Sequence, residues 1–299
     1  MLIDVHTHLL PEQISKNPQA FAEVDDYFGF LTTPSPFNTT VQCFASYQEA
    51  VRQMDLDGVD MAVIQGWPLI PHEYCVMQND YTLEAMKAYP GRFLGFGAVN
   101  PTEGINALRE VQRCAGAGMA GIGELDPCGQ GFSLRDENFL KICDLCVDLD
   151  LVMCIHISEP VGNFYPGKSS VSLADYVNLI QAKPLLKVIL PHWGGGLPFY
   201  ELMPEISAAF TNVYYDTACS PLLCSPAVYN ATINLLGSEK VMFGTDYPLL
   251  LYPNRENRPG FAGMIKEIQD QIGEEKSLKN ILGQNAMGLF HRHLSLKGA

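Results

Sequence analysis

The segment Leu2–His8 reads LIDVHTH, a short run with apolar and β-branched residues that ends in two histidines. Seven comparable runs follow along the chain. Most of them are near-continuous apolar stretches, as expected for parallel strands that are covered on both faces. The eight predicted strands are Leu2–His8, Val59–Gly66, Phe93–Asn100, Gly121–Pro127, Leu151–Ile157, Lys187–Trp193, Val213–Ala218 and Val241–Pro248.

Helical patterns alternate with these strands along the whole chain. They cover Tyr47–Leu56, Asn79–Tyr89, Glu103–Ala115, Asp136–Asp148, Leu173–Gln181, Phe199–Phe210, Ala227–Leu236 and Gly260–Ile272. Eight strand–helix repeats predict an α/β fold, a (β/α)8 TIM barrel in which residues 1–299 form a single domain. An open doubly wound sheet is the alternative. No Gly-x-Gly-x-x-Gly motif follows the first strand, which weakens a dinucleotide-binding version of that sheet.

Two segments do not resemble barrel structure. The stretch from Leu9 to Ala45 contains several Pro and Asn residues. We expect it to be a long loop insertion after strand one that folds over the active face. The stretch Leu249–Pro259, after the eighth strand, is predicted to be a second loop of this kind.

Charge and composition limit the classes of partner. The chain has 19 Lys and Arg residues against 33 Asp and Glu residues, a formal net charge of −14, and no basic cluster. We therefore expect no binding to nucleic acid or to anionic membranes. Apolar runs are too short to span a bilayer, and no secretory signal is visible. Nine cysteines without a disulfide-like spacing suggest free thiols and a cytoplasmic location.

Four histidines lie at the ends of predicted strands, where barrel enzymes build their active sites. His6 and His8 end strand one. Side chains two residues apart on a strand share a face, so both imidazoles are expected to reach one ion. His156 ends strand five and His192 ends strand six. Each histidine alone could be a core residue, but four at strand ends favour a metal site.

Two carboxylates extend this set. Glu124 ends strand four, where it could bridge two metal ions or pair with a basic loop residue. Asp246 ends strand eight, where it could bind a metal and accept a proton from metal-bound water, or cap the next segment. Asp126 shares the face of Glu124, and we expect it to support the site or cap a loop.

Four further residues are expected to contact the substrate. Trp193 and Tyr247 each follow a predicted site residue directly. Arg255 could clamp a substrate carboxylate, although a position on a surface loop is equally compatible with the sequence. His72 follows strand two in a loop bounded by prolines, where exposure is the alternative. Asp216 ends strand seven, and a structural hydrogen bond is its expected role.

Together these motifs resemble the amidohydrolase superfamily over essentially the whole chain. The matching stretches are VHTH at residues 5–8, His156, PHWGGG at 191–196 and GTDYP at 244–248. The chain is most similar to the amidohydrolase-related branch, which also contains aminocarboxymuconate-semialdehyde decarboxylase and γ-resorcylate decarboxylase.

The resemblance implies roles for individual residues. It implies His6, His8, His156 and Asp246 as metal ligands, and His192 as a further ligand or the catalytic acid/base. Binuclear hydrolases of the superfamily use a carboxylated lysine on strand four, but no lysine lies near Glu124 here. Glu124 could replace it as a bridge. We therefore expect all six residues to bind metal, with Asp246 and His192 also catalytic.

Hydrolysis is the leading functional hypothesis. Metal-activated water would attack an amide, ester or lactone of a small molecule, and Asp246 would transfer the proton. The alternative is a metal-dependent, non-oxidative decarboxylation of a small aromatic or unsaturated carboxylic acid, with His192 or Asp246 protonating carbon. A barrel that has lost catalysis is a third hypothesis, which the complete ligand set disfavours.

The cofactor and partners follow from the same reasoning. Mixed histidine and carboxylate ligands suit zinc, which is our expected ion, at one or two per chain. Manganese, iron and nickel can occupy similar sites. The expected partner is a small-molecule substrate, and the resemblance also implies a homodimer.

Overall fold

Eight parallel strands form one sheet in which each strand pairs with the next along the chain. The computed structural model describes residues 1–34 and 41–295. The strands are β1 Ile3–Thr7, β2 Met61–Ile64, β3 Phe93–Gly97, β4 Gly121–Leu125, β5 Val152–Ile155, β6 Lys187–Leu190, β7 Val213–Asp216 and β8 Val241–Met242. Their order and direction confirm the predicted barrel. The strands end earlier than predicted, because pairing stops where the chain turns into the loops of the site.

The barrel is closed by hydrogen bonds between β1 and the segment after β8. The Asp246 N–H donates to the His6 carbonyl (2.9 Å), and the His8 N–H donates to the Tyr247 carbonyl (2.7 Å). Thr7 and Tyr247 form a parallel bridge at the same seam. The last strand therefore brings Asp246 beside the two histidines of the first strand.

Asp4 is a buried carboxylate that reinforces this seam. Its Oδ1 accepts hydrogen bonds from the His6 N–H (2.8 Å) and the Thr245 N–H (3.2 Å), and its Oδ2 accepts one from the Thr245 hydroxyl (2.5 Å). Burial raises the pKa of Asp4 to about 7, against the effect of these hydrogen bonds. The three bonds hold the two strand ends in one register below the site.

Helices surround the sheet, and the first three along the chain cover its carboxyl end. They are α1 Glu12–Ser15, α2 Pro18–Ala22, α3 Asp26–Thr32, α4 Tyr47–Asp57, α5 His72–Ala88, α6 Ile105–Gly116, α7 Glu137–Asp148, α8 Leu173–Ala182, α9 Leu197–Tyr200, α10 Pro204–Ala209, α11 Ser220–Leu223, α12 Ala227–Leu236, α13 Ala262–Gln271, α14 Glu275–Lys279, α15 Asn285–Leu289 and α16 His291–Ser295. Two predicted helices differ from the structure: α5 already begins at His72, and the predicted helix Phe199–Phe210 is divided into α9 and α10. Within the described residues, no helix is long and apolar enough to cross a membrane.

The segment between β1 and α4 covers the carboxyl end of the barrel, where we predicted an insertion. Phe28 of α3 packs against Trp67, which follows β2, with 5.4 Å between the ring centroids. The Asp25 carboxylate accepts hydrogen bonds from the N–H groups of Phe28 and Ile70, both at 2.8 Å. These contacts fasten α3 over the barrel mouth. Residues 35–40 of the predicted insertion lie outside the described residues.

A left-handed turn follows β6 and places His192. The φ angles are 55° at His192, 58° at Trp193 and 58°, 59° and 99° at Gly194, Gly195 and Gly196. Side chains with a Cβ adopt such angles at a cost, whereas glycine does not. A Cβ at Gly195 would also lie 2.6 Å from the Ser158 carbonyl oxygen. The turn therefore depends on glycine for its conformation and for its close approach to the loop after β5.

We expect Gly195→Ala to lower the free energy of unfolding by roughly 2–4 kcal/mol, through the backbone conformation and the contact with Ser158. Gly196→Ala is the matched control. Its φ is also positive, but no atom lies within 4 Å of the new Cβ, so a loss of about 1 kcal/mol is expected. Urea titrations of both variants measure the difference. Equal losses would contradict the role of the close contact.

Candidate metal centre and active site

The strand ends bring the six predicted metal ligands together at the barrel mouth. His6 lies in β1 and His8 just after it, Glu124 lies in β4, and His156, His192 and Asp246 follow β5, β6 and β8. Among the described residues, three overlapping groups have ligand atoms within 4.8 Å of one another: His6, His192 and Asp246; Glu124, His156 and His192; and His6, Glu124 and Cys154. The side chains that the sequence singled out thus converge on one small region.

Glu124 lies between two pairs of histidines. Its Oε2 is 3.5 Å from Nε2 of both His6 and His8. Its Oε1 is 2.8 Å from His156 Nδ1 and 3.6 Å from His192 Nε2. Each oxygen of this one carboxylate therefore faces a separate pair of imidazoles.

Backbone carbonyls determine where His156 and His192 carry their protons. The Gly167 oxygen lies 2.9 Å from His156 Nε2, and the Ala218 oxygen lies 3.2 Å from His192 Nδ1. A carbonyl oxygen only accepts hydrogen bonds, so these outer nitrogens are the protonated ones. In a neutral imidazole the inner nitrogen is then an acceptor, and on both rings it faces Glu124.

Asp216 has the same effect on His6. Its Oδ2 lies 2.8 Å from His6 Nδ1, and its Oδ1 accepts hydrogen bonds from the N–H groups of His192 (3.1 Å) and Ala218 (2.9 Å). The carboxylate is completely buried at the end of β7. Sequence reasoning assigned Asp216 only a structural hydrogen bond. No local motif reveals that His6 and the loop after β6 both meet at this carboxylate.

Asp246 completes the group around His6 and His8. Its Oδ1 is 3.5 Å from His8 Nε2 and 3.9 Å from His6 Nε2, and its Oδ2 accepts a hydrogen bond from the Cys219 thiol (3.0 Å). The two Nε2 atoms are 3.1 Å apart. Atoms that bind one ion at about 2.0–2.2 Å lie roughly 3–3.5 Å from one another, so these spacings fit a divalent ion. Acceptors that face acceptors also require a cation or additional protons between them.

The pKa shifts of His6, Glu124 and His156 arise because imidazoles and carboxylates face one another in the cluster. Burial disfavours a charged His6, but the carboxylates of Asp216, Glu124 and Asp246 raise the pKa of His6 well above its ordinary value. Burial also opposes ionisation of Glu124, yet His156 and His6 hold the pKa of Glu124 well below its usual range. The pKa of His156 rises to about 9 despite burial, mainly because of Glu124. The cluster therefore attracts positive charge, either as protons or as a metal ion.

A cavity of about 310 Å³ opens above the cluster. His8, Glu124, His156, His192 and Asp246 line its polar end. Aromatic and aliphatic side chains form most of the remaining wall: Tyr27, Trp67, Tyr165, Leu31, Val41, Leu222, Leu223 and Leu249. The volume lies at the lower end of the range for small-molecule sites, roughly 300–1,000 Å³.

Trp193 and Tyr247 do not line this cavity, in contrast to our prediction. The Trp193 indole N–H donates to the Ser220 hydroxyl (2.8 Å), and the Tyr247 ring stacks on Phe261 with 4.6 Å between centroids. The chain is not extended at either place, since φ is 55° at His192, 58° at Trp193 and 70° at Asp246. These left-handed residues direct the Trp193 and Tyr247 side chains away from the cavity, a result that strand alternation does not predict.

His72 and Arg255 also lie outside the cavity wall. His72 is the first residue of α5 and does not lie in the loop between β2 and that helix. Arg255 is exposed on the loop that follows β8, in agreement with the surface alternative. The structure therefore brings the predicted metal ligands together but does not bring these two substrate-binding candidates to them.

Known proteins resemble the chain over nearly its full length. The 2-amino-3-carboxymuconate-6-semialdehyde decarboxylase of Dictyostelium discoideum is 24% identical over 336 aligned positions, covering 95% of this chain and 90% of that protein. The crystal structure of 5-carboxyvanillate decarboxylase from Sphingomonas paucimobilis has 20% identity, a TM-score of 0.75 and coverage of 97% and 98% of the two chains. A dihydroxybenzoic acid decarboxylase from Polaromonas sp., with bound manganese and 2-nitroresorcinol, has 19% identity, a TM-score of 0.73 and coverage of 97% and 96%.

The two solved structures establish a shared barrel fold at these levels of identity. A family model described as Amidohydrolase matches residues 3–292. This match includes every predicted metal ligand and agrees with the resemblance inferred from the strand-end motifs. The chain belongs to the amidohydrolase family.

Proposed function

We propose that this protein is a metal-dependent, non-oxidative decarboxylase of small aromatic or unsaturated carboxylic acids. The observation that carries the proposal is a small cavity in which aromatic and aliphatic walls face a histidine–carboxylate cluster. The three relatives described above are named as decarboxylases. They support this reaction better than the hydrolysis that we expected first from the sequence.

The donor set of the cluster fits a divalent ion. His6, His8, Glu124 and Asp246 would hold it, because their facing nitrogen and oxygen atoms lie at the spacing of shared ligands. When bound, such an ion supplies positive charge that retains the carboxylate of the substrate. Zinc stays a prediction. The Polaromonas relative binds manganese, and ligand type alone does not separate the two metals.

The protein side chains then have distinct tasks. The bond between the substrate carbon and its carboxyl carbon breaks, the electron pair stays on the substrate carbon, carbon dioxide leaves and a proton forms the new C–H bond. We assign this proton to His192, whose Nε2 is free to exchange it while Nδ1 stays on the Ala218 carbonyl. Asp246 suits this task less well, because Cys219 already occupies its Oδ2. The apolar wall excludes water from the carboxylate.

Hydrolysis is a second candidate, and the position of Glu124 favours it. One oxygen of Glu124 faces His6 and His8, and the other faces His156 and His192. A carboxylate in this position can bridge two ions, as in two-metal hydrolases.

A homodimer, a cytoplasmic location and a small-molecule partner stay predictions.

The reaction can be identified by product analysis in D₂O. Metal-loaded protein is incubated with hydroxylated benzoic acids and, in parallel, with aryl esters, anilides and lactones. We expect release of carbon dioxide and one deuterium at the carbon that carried the carboxylate, because solvent supplies the new hydrogen. His192→Asn is expected to lower kcat by roughly 10²–10⁴-fold. Faster turnover of the esters, anilides or lactones than of any acid would contradict the decarboxylase proposal.

The number of ions per chain separates the two candidates. Mass spectrometry is applied to wild type and Glu124→Ala, both purified without chelators. The decarboxylase proposal predicts about one ion per wild-type chain. About two ions that fall to one or fewer in Glu124→Ala would instead support a bridging carboxylate and hydrolysis.

Asp216→Ala is expected to weaken metal binding about 10–100-fold, because His6 loses the acceptor that fixes its outer proton. Titration in metal buffers measures the affinity, with circular dichroism as the test of folding. Asp144→Ala is the control, since Asp144 forms an exposed ion pair with Lys183. An unchanged affinity in folded Asp216→Ala would show that the hydrogen bond to His6 is dispensable.

A further inference from the structure

The described part of the cavity wall contains no lysine or arginine. Glu124, Asp126 and Asp246 contribute three carboxylates to it. Glu124 and Asp246 face the histidine cluster and would be neutralised by a bound cation. Asp126 makes its hydrogen bonds elsewhere, to Tyr27 and to two backbone N–H groups.

The lysine next to the wall is already engaged. Lys168 follows the lining residue Gly167, and its Nζ binds the Glu159 carboxylate (2.8 Å) and the carbonyl oxygen of Asn163 (3.1 Å). Glu159 also accepts a hydrogen bond from the hydroxyl of Tyr165 (2.9 Å). The positive charge of Lys168 is therefore paired with Glu159 and does not offset Asp126.

The Tyr27 hydroxyl is a donor to Asp126 and can therefore act only as an acceptor toward other groups. Its Oδ1 accepts hydrogen bonds from the backbone N–H groups of Cys128 (2.9 Å) and Gly129 (3.1 Å). Its Oδ2 accepts the proton of the Tyr27 hydroxyl. All these partners are donors, as an ionised carboxylate requires. Since the Tyr27 proton is directed at Asp126, only the lone pairs of the phenol oxygen remain for another molecule.

Two parts of the chain position Tyr27. It lies in α3, the helix of the insertion that is fastened over the barrel mouth, and it lines the cavity together with Asp126. Its ring lies so close to Gly129 that a Cβ there would be 2.0 Å from it. The insertion and the loop after β4 thus form this part of the wall jointly.

We propose that Tyr27 and Asp126 form an acceptor subsite that binds a hydroxyl or amino donor of the substrate and excludes a second carboxylate. This inference deepens the proposed function, because it assumes that the first carboxylate of the substrate binds at the histidine cluster. A second carboxylate offers only acceptors to the Tyr27 oxygen, whose proton is already donated to Asp126. The substrate class is therefore a monocarboxylic acid with a hydrogen-bond donor.

Equilibrium dialysis of the zinc-loaded protein tests this subsite without turnover as the readout. The ligands are the meta and para hydroxybenzoates, the corresponding methoxybenzoates and the corresponding benzenedicarboxylates. The meta isomers form one series and the para isomers the other. In whichever series binds more tightly, we expect the hydroxybenzoate to have a Kd at least about tenfold below those of the methoxybenzoate and the benzenedicarboxylate. A dicarboxylate or methoxybenzoate that binds as tightly as the hydroxybenzoate would overturn the proposal.

Asp126→Asn changes the Tyr27 hydroxyl from an acceptor to a donor toward the cavity. The amide oxygen keeps the hydrogen bonds from Cys128 and Gly129, so the NH₂ group donates to Tyr27 and releases the phenol proton toward the cavity. The preference for hydroxybenzoate over dicarboxylate should fall at least about tenfold or invert. An unchanged preference in the folded variant would overturn the proposal, and the wild-type series tests it even if the variant does not fold.

Tyr165→Phe is the matched control, because it removes the hydroxyl of the other cavity tyrosine and leaves the ion pair between Glu159 and Lys168 in place. We expect its ligand preference to stay within about threefold of wild type. A larger shift in Tyr165→Phe than in Asp126→Asn would overturn the assignment to Tyr27. Chromatography of the recovered ligand reports turnover separately. Selective binding without carbon dioxide release would therefore remove the decarboxylase proposal and leave the subsite intact.

Discussion

The buried Asp216 carboxylate is the contact on which the site depends. It binds the outer nitrogen of His6 and the N–H groups of His192 and Ala218, and so links the end of β1 to the loops after β6 and β7. Removal of such a carboxylate leaves three donors unpaired in a dry interior. The link also sets the tautomer of His6 and directs its lone pair toward Glu124. Outer partners of this kind orient metal ligands and are part of the site's chemistry.

The second constraint acts from above the barrel. The insertion after β1 reaches over the strand ends, and the Asp25 carboxylate holds α3 against the loop after β2. This places Tyr27 and the apolar residues of the insertion opposite the charged cluster. The resulting cavity combines two kinds of wall. The histidine–carboxylate cluster attracts cations, and the Tyr27–Asp126 pair lines the same cavity.

Much of this arrangement could be predicted because it depends on local patterns. Eight apolar runs separated by helices determine a parallel barrel, and a parallel barrel collects its strand ends at one rim. His6, Glu124 and Asp246 therefore lie close together, as expected. Trp193 and Tyr247 lie outside the cavity wall for a reason that strand alternation does not contain, because His192, Trp193 and Asp246 have positive φ angles beyond the strand ends.

The sequence by itself determined the barrel, its family and the residues that converge on the metal centre, because hydrophobic period and strand order are short-range properties. Only the tertiary structure decided which acceptors fix the outer protons of His6 and His192 and which carboxylate receives the proton of Tyr27. These contacts join residues 26 to 210 positions apart, from Ala218 to His192, Tyr27 to Asp126, and His6 to Asp216. A hydrogen bond depends on ångström distances between groups whose separation along the chain carries no information about their separation in space.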